Sequence, residues 1–200
     1  DPEVVAHLEA ENAYTDARLA HLAPLREQLF GEIKARTQET DLSVPTRQGN
    51  WWYYGRTDEG AQYGMQCRAP VTSPDDWTPP APDPSNPIEG EQVLLDANAE
   101  AAGHDFFSVG AFDITPDGTR MLFGVDTVGN ERYTVRIRDL DTRELLPDII
   151  PGTFAGATLS PDGRFVVYTT MDPTWRPDTV WLHEIGTPSG KDTKLFYEPD

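Results

Sequence analysis

The sequence predicts a mainly β protein in which N-terminal helices precede the first blades of a β-propeller. The main observation is a repeat, because Thr115-Pro116-Asp117-Gly118 returns as Ser160-Pro161-Asp162-Gly163 after 45 residues. Runs of β-branched and aromatic residues follow both copies at the same offset. These runs are Met121–Phe123 with Val166–Tyr168, and Thr134–Ile137 with Thr179–Leu182. A period of this length is typical of one propeller blade.

Each repeated tetrapeptide has the composition of a tight turn between two strands. Proline fixes φ at the first turn position, and the aspartate side chain can bond to its own backbone. The glycine supplies a positive φ, which other residues adopt only at a cost. One such turn predicts a single hairpin, but two turns in register with two pairs of strands predict repeated blades.

The N-terminal segment has helical rather than strand-like spacing. From residue 2 to about 38, apolar residues recur on one side, with Leu8 and Leu22 in the first half and Leu29 in the second. Pro24 suits the first turn of a second helix, where a missing N–H costs nothing. Because such helices do not fit into a blade, we expect residues 1–45 to pack on another body.

Residues 46–200 are predicted to form roughly three blades, of which the first is divergent. Its strands are Trp51–Thr57 and Tyr63–Arg68, separated by a turn. The segment 71–92 is rich in proline and acids and lacks lysine and arginine, so we expect a surface insertion. Propellers close with about four to eight blades. We therefore expect this chain to be part of a larger structure.

The composition restricts the partners of the chain. There are 34 acidic against 16 basic residues, giving a net charge of -18, so nucleic acid and anionic membranes are not expected partners. The charge favours cationic ligands, or it serves only to keep the surface soluble. Cys67 is the single cysteine and no apolar segment approaches the length of a membrane span, which favours a cytoplasmic location.

The chain has none of the common catalytic motifs. Ser108 comes nearest to a nucleophile elbow, but the first glycine of Gly-x-Ser-x-Gly is missing. The four histidines lack a second ligand at metal-binding spacing, and His183 is predicted to lie at the edge of a blade. Asp139–Glu144 lacks the glycine of a calcium loop and is predicted to form a turn. We therefore expect no cofactor, no metal and no catalytic residue in this chain.

Several segments together identify a likeness to a known family. The chain resembles the oligopeptidase B branch of the prolyl oligopeptidase family of serine peptidases along its whole length. The matching segments are His7–Thr15, Glu32–Arg36, Glu39–Pro45, Leu94–Asn98, Phe106–Gly110, Ile114–Gly118, Gly129–Tyr133, Asp178–Trp181 and Gly186–Pro188. A generic propeller would not combine the helix, the Leu-Leu-Asp-Ala-Asn strand and the blade repeats in this order.

The resemblance implies an α/β-hydrolase domain capped by a seven-bladed propeller. The helices of residues 1–45 would then pack on the hydrolase domain. Family members cleave short peptides after arginine or lysine with a Ser-Asp-His triad, and acidic side chains recognise the basic residue. These residues all lie in the C-terminal part of family members, so no triad residue is assigned to this chain. The implied partners are short basic peptides and the protein's own hydrolase domain.

The role left for this segment is selection of substrates. A propeller over an active site admits peptides and excludes folded proteins by size, and charged loops can hold the two domains closed. We predict that such contacts come from the loop residues Asp105, Asp126, Glu131, Arg132 and Arg176. For each of them the alternative is an ordinary exposed charge. A stand-alone propeller that binds partner proteins and a proline-preferring relative remain alternative functions.

Overall fold

Two separate units make up the chain, Asp1–Glu39 and Thr40–Asp200. The computed structural model describes residues 1–75, 77–81 and 88–199. Thr40 to Pro45 lie with the strands, because Leu42 forms a bridge with Arg56 and the Ser43 N–H donates to the Gly55 carbonyl. The strand unit thus begins before the predicted boundary at residue 45.

The first unit consists of α1 (Pro2–Leu19), a 3-10 turn (Ala20–Leu22) and α2 (Ala23–Lys34). Asp1 caps α1 by accepting the Glu3 N–H at 2.9 Å, and a proline lies in the first turn of both α-helices. The predicted helices are confirmed, although the second ends at Lys34 rather than near residue 38. Neither helix has the length and apolar content needed to cross a bilayer, and the same holds for the other helix among the described residues.

The second unit is built from two antiparallel sheets, one of four and one of eight strands. Neighbours in the chain are neighbours in each sheet, except that the eighth strand pairs with the tenth and the ninth pairs only with the tenth. The first blade contains β1 (Thr46–Gln48), β2 (Trp51–Arg56), β3 (Met65–Pro70) and β4 (Gln92–Asp96). After α3 (Ala97–Ala101), the second blade contains β5 (Ser108–Ile114), β6 (Arg120–Asp126), β7 (Tyr133–Asp139) and β8 (Leu145–Thr153). The third contains β9 (Thr158–Leu159), β10 (Phe165–Met171), β11 (Pro177–Glu184) and β12 (Thr193–Tyr197), with a 3-10 turn (Ser189–Lys191) before β12. The prediction of a mainly β fold with repeated blades is confirmed.

Much of the core lies between blades, because strand β6 is buried on both faces. On β6, Met121 and Phe123 point towards a cluster that includes Leu94 and Leu95 of the first blade. Leu122 points the opposite way, into a cluster shared with Val166 of the third blade. Alternate residues of a strand face opposite sides of its sheet, so a continuous apolar run serves both interfaces.

The repeated turns are also contacts between neighbouring blades. Arg68 of the first blade donates from Nη1 to the Gly118 carbonyl at 2.6 Å, and its guanidinium lies over the Trp51 ring. Arg120 of the second blade donates in the same way to the Gly163 carbonyl. An arginine of one blade therefore holds the turn of the next.

The proline-rich insertion is held at both described ends, and none of its described residues 71–75, 77–81 and 88–91 lies in a helix or strand. Arg47 donates to the Pro74 carbonyl at 3.0 Å. At the other end, Glu91 accepts from the Tyr54 hydroxyl at 2.5 Å and from Arg56 at 3.1 Å. The predicted insertion also includes residues 76 and 82–87, which lie outside the described residues.

We expect the substitution Gly118→Ala to destabilise the blades by about 1–3 kcal/mol. Gly118 has φ 72°, and an added Cβ would lie 3.1 Å from the Tyr53 hydroxyl and 3.3 Å from Arg68 Nη1. The measurement is the thermal unfolding midpoint of the full-length protein. Gly190→Ala is the control, because that glycine lacks a positive φ and has open space around it. Equal midpoints for the two variants would contradict the prediction.

Candidate functional site

One edge of the strand unit collects the loops that are predicted to be functional. Successive antiparallel strands alternate in direction, so every second connection lies at the same edge. We call this the top edge, which comprises the loops 57–64, 97–107, 127–132, 154–157 and 172–176. The repeated turns and the proline-rich insertion lie at the opposite, bottom edge.

All of the predicted contact residues lie at the top edge. Asp105 lies in the loop before β5, and Asp126 is the last residue of β6. Glu131 and Arg132 belong to the loop between β6 and β7, whereas Arg176 belongs to the corresponding loop of the third blade. The side chains differ in exposure: some support their loop from within, and others present charge at the surface.

Asp126 is buried and organises the loop that follows it. Its Oδ1 accepts the N–H groups of Val128 at 2.8 Å and Gly129 at 2.9 Å, and its Oδ2 accepts that of Glu131 at 2.8 Å. Burial by itself would raise the pKa of Asp126, but the backbone N–H donors outweigh it and hold the pKa below the ordinary value of 3.8. Asp126 therefore supports the loop rather than facing a partner.

The loop of the third blade uses a carboxylate in a similar way. Asp172 Oδ1 accepts from the Thr174 hydroxyl at 2.7 Å and from the Arg176 N–H at 3.1 Å. The Thr174 hydroxyl and then the Arg176 N–H lower the pKa of Asp172 to about 2. Arg132 donates to the Asp172 carbonyl at 3.0 Å and so links the second blade to this loop. At its tip, Trp175 is exposed with φ 66°.

The remaining predicted residues present charge at the surface. Asp105 and Glu131 are exposed, and Glu131 has φ 57°, a conformation fixed by the bond from its N–H to Asp126. Arg176 is partly exposed, and its guanidinium contacts Asp172 and the Glu198 carbonyl. The top edge can therefore form ion pairs through Asp105 and Glu131, while Arg132 and Arg176 brace the loops around them.

A cavity of about 320 Å³ opens near the same edge, between the first and second blades. The rings of Tyr63 and Phe107 meet there edge to face at 5.3 Å. Gln66 and Ser108 also line it, so it combines an apolar wall with polar groups. Such a cavity suits an apolar side chain rather than a charged one.

The segments that only partly match catalytic or metal-binding motifs have structural roles. Ser108 begins strand β5, and Gly110 is required because an added Cβ would lie 2.3 Å from the Tyr133 ring. Asp139 accepts the N–H groups of Asp141 and Thr142, which confirms the predicted turn. Among the described residues, no group of three histidine, cysteine or acidic side chains is arranged to hold a metal ion.

His183 lies at the end of strand β11, as predicted, but its interpretation as an ordinary blade-edge residue was wrong. Its side chain is fully buried and hydrogen-bonded to Asp148 and Asp192. A signal existed in the sequence, because Asp148 is two residues before Ile150 on β8 and so shares its buried face. A charged residue on an apolar face needs a buried partner, but the sequence does not identify that partner.

Comparison with known proteins agrees with this architecture. Residues 1–200 match the family described as "Prolyl oligopeptidase, N-terminal beta-propeller domain". The chain is 40% identical to dipeptidyl aminopeptidase BI of Pseudoxanthomonas mexicana and 31% identical to Protease 2 of Moraxella lacunata. Both alignments cover 99% of this chain but only 28% of the relative. The chain therefore spans less than a third of the length of these relatives.

Solved structures give the same result. Oligopeptidase B from Leishmania major has a TM-score of 0.86 at 30% identity, and the match covers 100% of this chain and 27% of that chain. Oligopeptidase B from Trypanosoma brucei, in a closed form with covalently bound antipain, has a TM-score of 0.85 at 31% identity. That match covers 100% of this chain and 26% of the other.

We expect the substitution Asp126→Asn to loosen the loop 127–132 by about 1–3 kcal/mol. One carboxylate oxygen is replaced by an NH₂ group, which cannot accept a backbone N–H. The measurement is amide hydrogen exchange of this loop in the full-length protein, with the exposed Asp141→Asn at the bottom edge as control. The pKa of Asp126 is lowered, so its contribution is present above the ordinary value and is lost as pH falls through the native pKa. Unchanged exchange in Asp126→Asn would contradict the supporting role.

Proposed function

Because the chain belongs to the prolyl oligopeptidase family, we propose that it is the N-terminal part of a serine oligopeptidase that cleaves short peptides after arginine or lysine. The observation that supports this most strongly is the family match over residues 1–200, together with the 30–31% identity to two oligopeptidase B structures. The catalytic residues would lie in the remaining part of the polypeptide. The 200 residues are proposed to select substrates and to have no peptidase activity of their own.

The top edge is proposed to face the hydrolase domain. It gathers the exposed charges of Asp105 and Glu131 on loops that are held by internal hydrogen bonds. Loops fixed in this way lose little conformational entropy when they meet a partner. Closure of the blades over an active site would then restrict access to peptides of small cross-section.

The helical unit is proposed to pack on the hydrolase domain as well. Its apolar face forms a groove of about 420 Å³ that includes Leu22, Leu25, Leu29, Phe30 and Ile33. The exposed fractions of these side chains run from 40% to 65%. A contiguous apolar face of this kind is typical of an interface, and the unmatched length of the relatives provides a partner in the same polypeptide.

A preference for basic residues is supported by charge. The net charge of -18 favours the approach of cationic peptides, and exposed acids at the top edge, including Glu59, Asp105 and Glu131, would place part of that charge close to the active site. Steering acts on association more than on the chemical step.

A second candidate function is removal of dipeptides from the amino terminus of substrates. It is favoured by one observation, the 40% identity to a relative named dipeptidyl aminopeptidase BI. The two candidates differ in what they require of the substrate, because only a dipeptidyl aminopeptidase needs a free amino group two residues before the cleaved bond. A stand-alone binding propeller is disfavoured, because such a protein has no use for an exposed apolar helical face.

We expect the full-length protein to cleave short peptides after arginine or lysine and to spare the same sequences within a folded protein. The measurement is kcat/KM on peptides of equal length with arginine, lysine, proline or alanine before the cleaved bond. Each peptide is supplied with a free and with an acetylated amino terminus. The 200-residue chain alone should show no turnover.

Each alternative has its own signature in this assay. Preference for proline would reject the specificity for basic residues, and loss of activity on acetylated peptides would favour the dipeptidyl aminopeptidase. Efficient digestion of the folded control would reject selection by size.

We expect Glu131→Lys to lower kcat/KM for dibasic peptides roughly two- to fivefold at low salt, with little change in kcat. The effect should shrink as ionic strength rises, because exposed charges are screened beyond about 8 Å at physiological salt. Asp141→Lys is the matched control, since it makes the same charge change at the bottom edge. Equal effects of the two substitutions would show that only the net charge matters.

A further inference from the structure

The cavity between the first and second blades has a wall that is fixed by hydrogen bonds. Asn98 of α3 pairs with the backbone of Tyr63, accepting its N–H at 2.9 Å and donating to its carbonyl at 2.8 Å. Asp96 Oδ1 accepts the Asn98 N–H at 2.9 Å and thereby orients Asn98. The ring of Tyr63 meets that of Phe107 edge to face at 5.3 Å. The segment Leu94–Asn98, which carries part of the family likeness, therefore holds one side of the cavity in place before a ligand binds.

The interior of the cavity is apolar and has the size of a large side chain. Its volume is about 320 Å³, at the lower end of the roughly 300–1,000 Å³ that is usual for ligand pockets. Leu95 and Phe107 form buried parts of its wall, whereas Val109 lies nearer the surface with an exposed fraction of 39%. None of the described residues that line it is charged. A charged group that entered would lose its hydration without gaining a counter-ion, whereas an apolar group gains from burial.

Two polar side chains, Gln66 and Ser108, complete the lining. Gln66 is exposed and Ser108 is partly buried. Within the described part of the chain, neither side chain makes a hydrogen bond. A carboxamide and a hydroxyl can each donate and accept, and each residue of a peptide offers an N–H and a carbonyl. An apolar side chain attached to a peptide backbone therefore matches both parts of the lining.

The loops that form the cavity carry charge opposite to that of the basic peptides proposed as substrates. Glu59 lies in the same loop as Tyr63, and Asp105 lies two residues before Phe107. Both acids are exposed. A basic side chain is therefore attracted to these loops, whereas the uncharged cavity takes an apolar residue of the same peptide.

We propose that the cavity is a subsite for one bulky apolar residue of the peptide substrate, such as phenylalanine or leucine, whose main chain binds Gln66 and Ser108. This subsite rests on the proposed peptidase function and is separate from recognition of the arginine or lysine at the cleaved bond. Because both sites have fixed positions once the blades close over the hydrolase domain, the apolar residue lies at one fixed spacing from the basic residue. A side chain of the hydrolase domain is the competing occupant.

The first experiment measures kcat/KM of the full-length protein on peptides of equal length that contain a single arginine. One phenylalanine is moved through the other positions, with alanine as the reference residue at each. We expect one position at which phenylalanine raises kcat/KM about tenfold over alanine, chiefly by lowering KM, because the ring is buried on binding. Ser108→Leu fills the cavity and should remove this preference. Ser189→Leu is the matched control and should keep it, since Ser189 is also partly buried but lies at the bottom edge.

The second experiment locates the apolar residue on the full-length protein. Each peptide carries a photoreactive phenylalanine analogue at one position in turn and a reduced, uncleavable bond after its arginine. We expect one of these peptides to label residues 63–66 or 107–109. The phenylalanine peptide should compete with this labelling about tenfold better than the alanine peptide.

The outcomes separate the subsite from the proposed function. Cleavage that does not require arginine or lysine would reject the proposed function, whereas labelling requires only binding and still decides on the subsite. Absence of a preferred position among peptides that are cleaved would overturn the subsite, and so would a preference that Ser108→Leu and Ser189→Leu change equally. Labelling confined to the hydrolase domain would assign the cavity to another occupant and overturn it as well. If Ser108→Leu fails to fold, labelling of the wild type decides.

Discussion

Strand β6 in the second blade is buried on both faces, so this blade depends on both of its neighbours for its core. Met121 and Phe123 of β6 need the first blade, whereas Leu122 needs the third. Because apolar packing is non-directional, it holds the blades together without fixing how they align. Alignment comes from directional bonds between blades. Arg68 donates to the Gly118 carbonyl, and the Leu159 N–H donates to the Asp113 carboxylate at 2.8 Å. The repeated turn therefore helps to align neighbouring blades, in addition to connecting the two strands of its own hairpin.

The top-edge loops of the second and third blades are each held by an aspartate that accepts hydrogen bonds from the loop. Asp126 at the end of β6 and Asp172 just after β10 each accept several donors from the loop that follows. The same loops contain Glu131 and Trp175, which both have a positive φ without being glycine. Such a backbone costs on the order of 1–3 kcal/mol, and charge-assisted bonds to the aspartate offset this cost. The result is a loop that is held by internal hydrogen bonds and displays a large side chain.

The sequence predicted the parts of this structure that depend on local chemistry. Turn residues and apolar period were sufficient for the helices, the strands and the repeat, since each is decided within a few residues. They also placed Asp105, Glu131, Arg132 and Arg176 in loops, whereas Asp126, which was predicted to be a loop residue, is the last residue of β6. They did not predict how these side chains differ in burial. Asp126 is buried while Glu131 is exposed, because the backbone N–H groups of the folded loop point towards the Asp126 carboxylate. The partnership of His183 with Asp148 and Asp192 was missed for a similar reason, because it joins residues 35 and 9 positions apart across two blades.

Net charge is a poor measure of how strongly this chain attracts a cationic ligand, because several of its carboxylates are buried or accept hydrogen bonds within the chain. Asp126, Asp148 and Asp192 are buried, and Asp172 accepts hydrogen bonds within its own loop. A carboxylate surrounded by N–H donors has part of its field cancelled by their dipoles, so it contributes less to steering than an exposed one at the same distance. The charge that acts on a substrate is therefore the exposed subset at the edge that faces it. On the top edge this subset includes Asp105 and Glu131, so under the proposed function the attraction of cationic peptides would depend on loop geometry more than on composition.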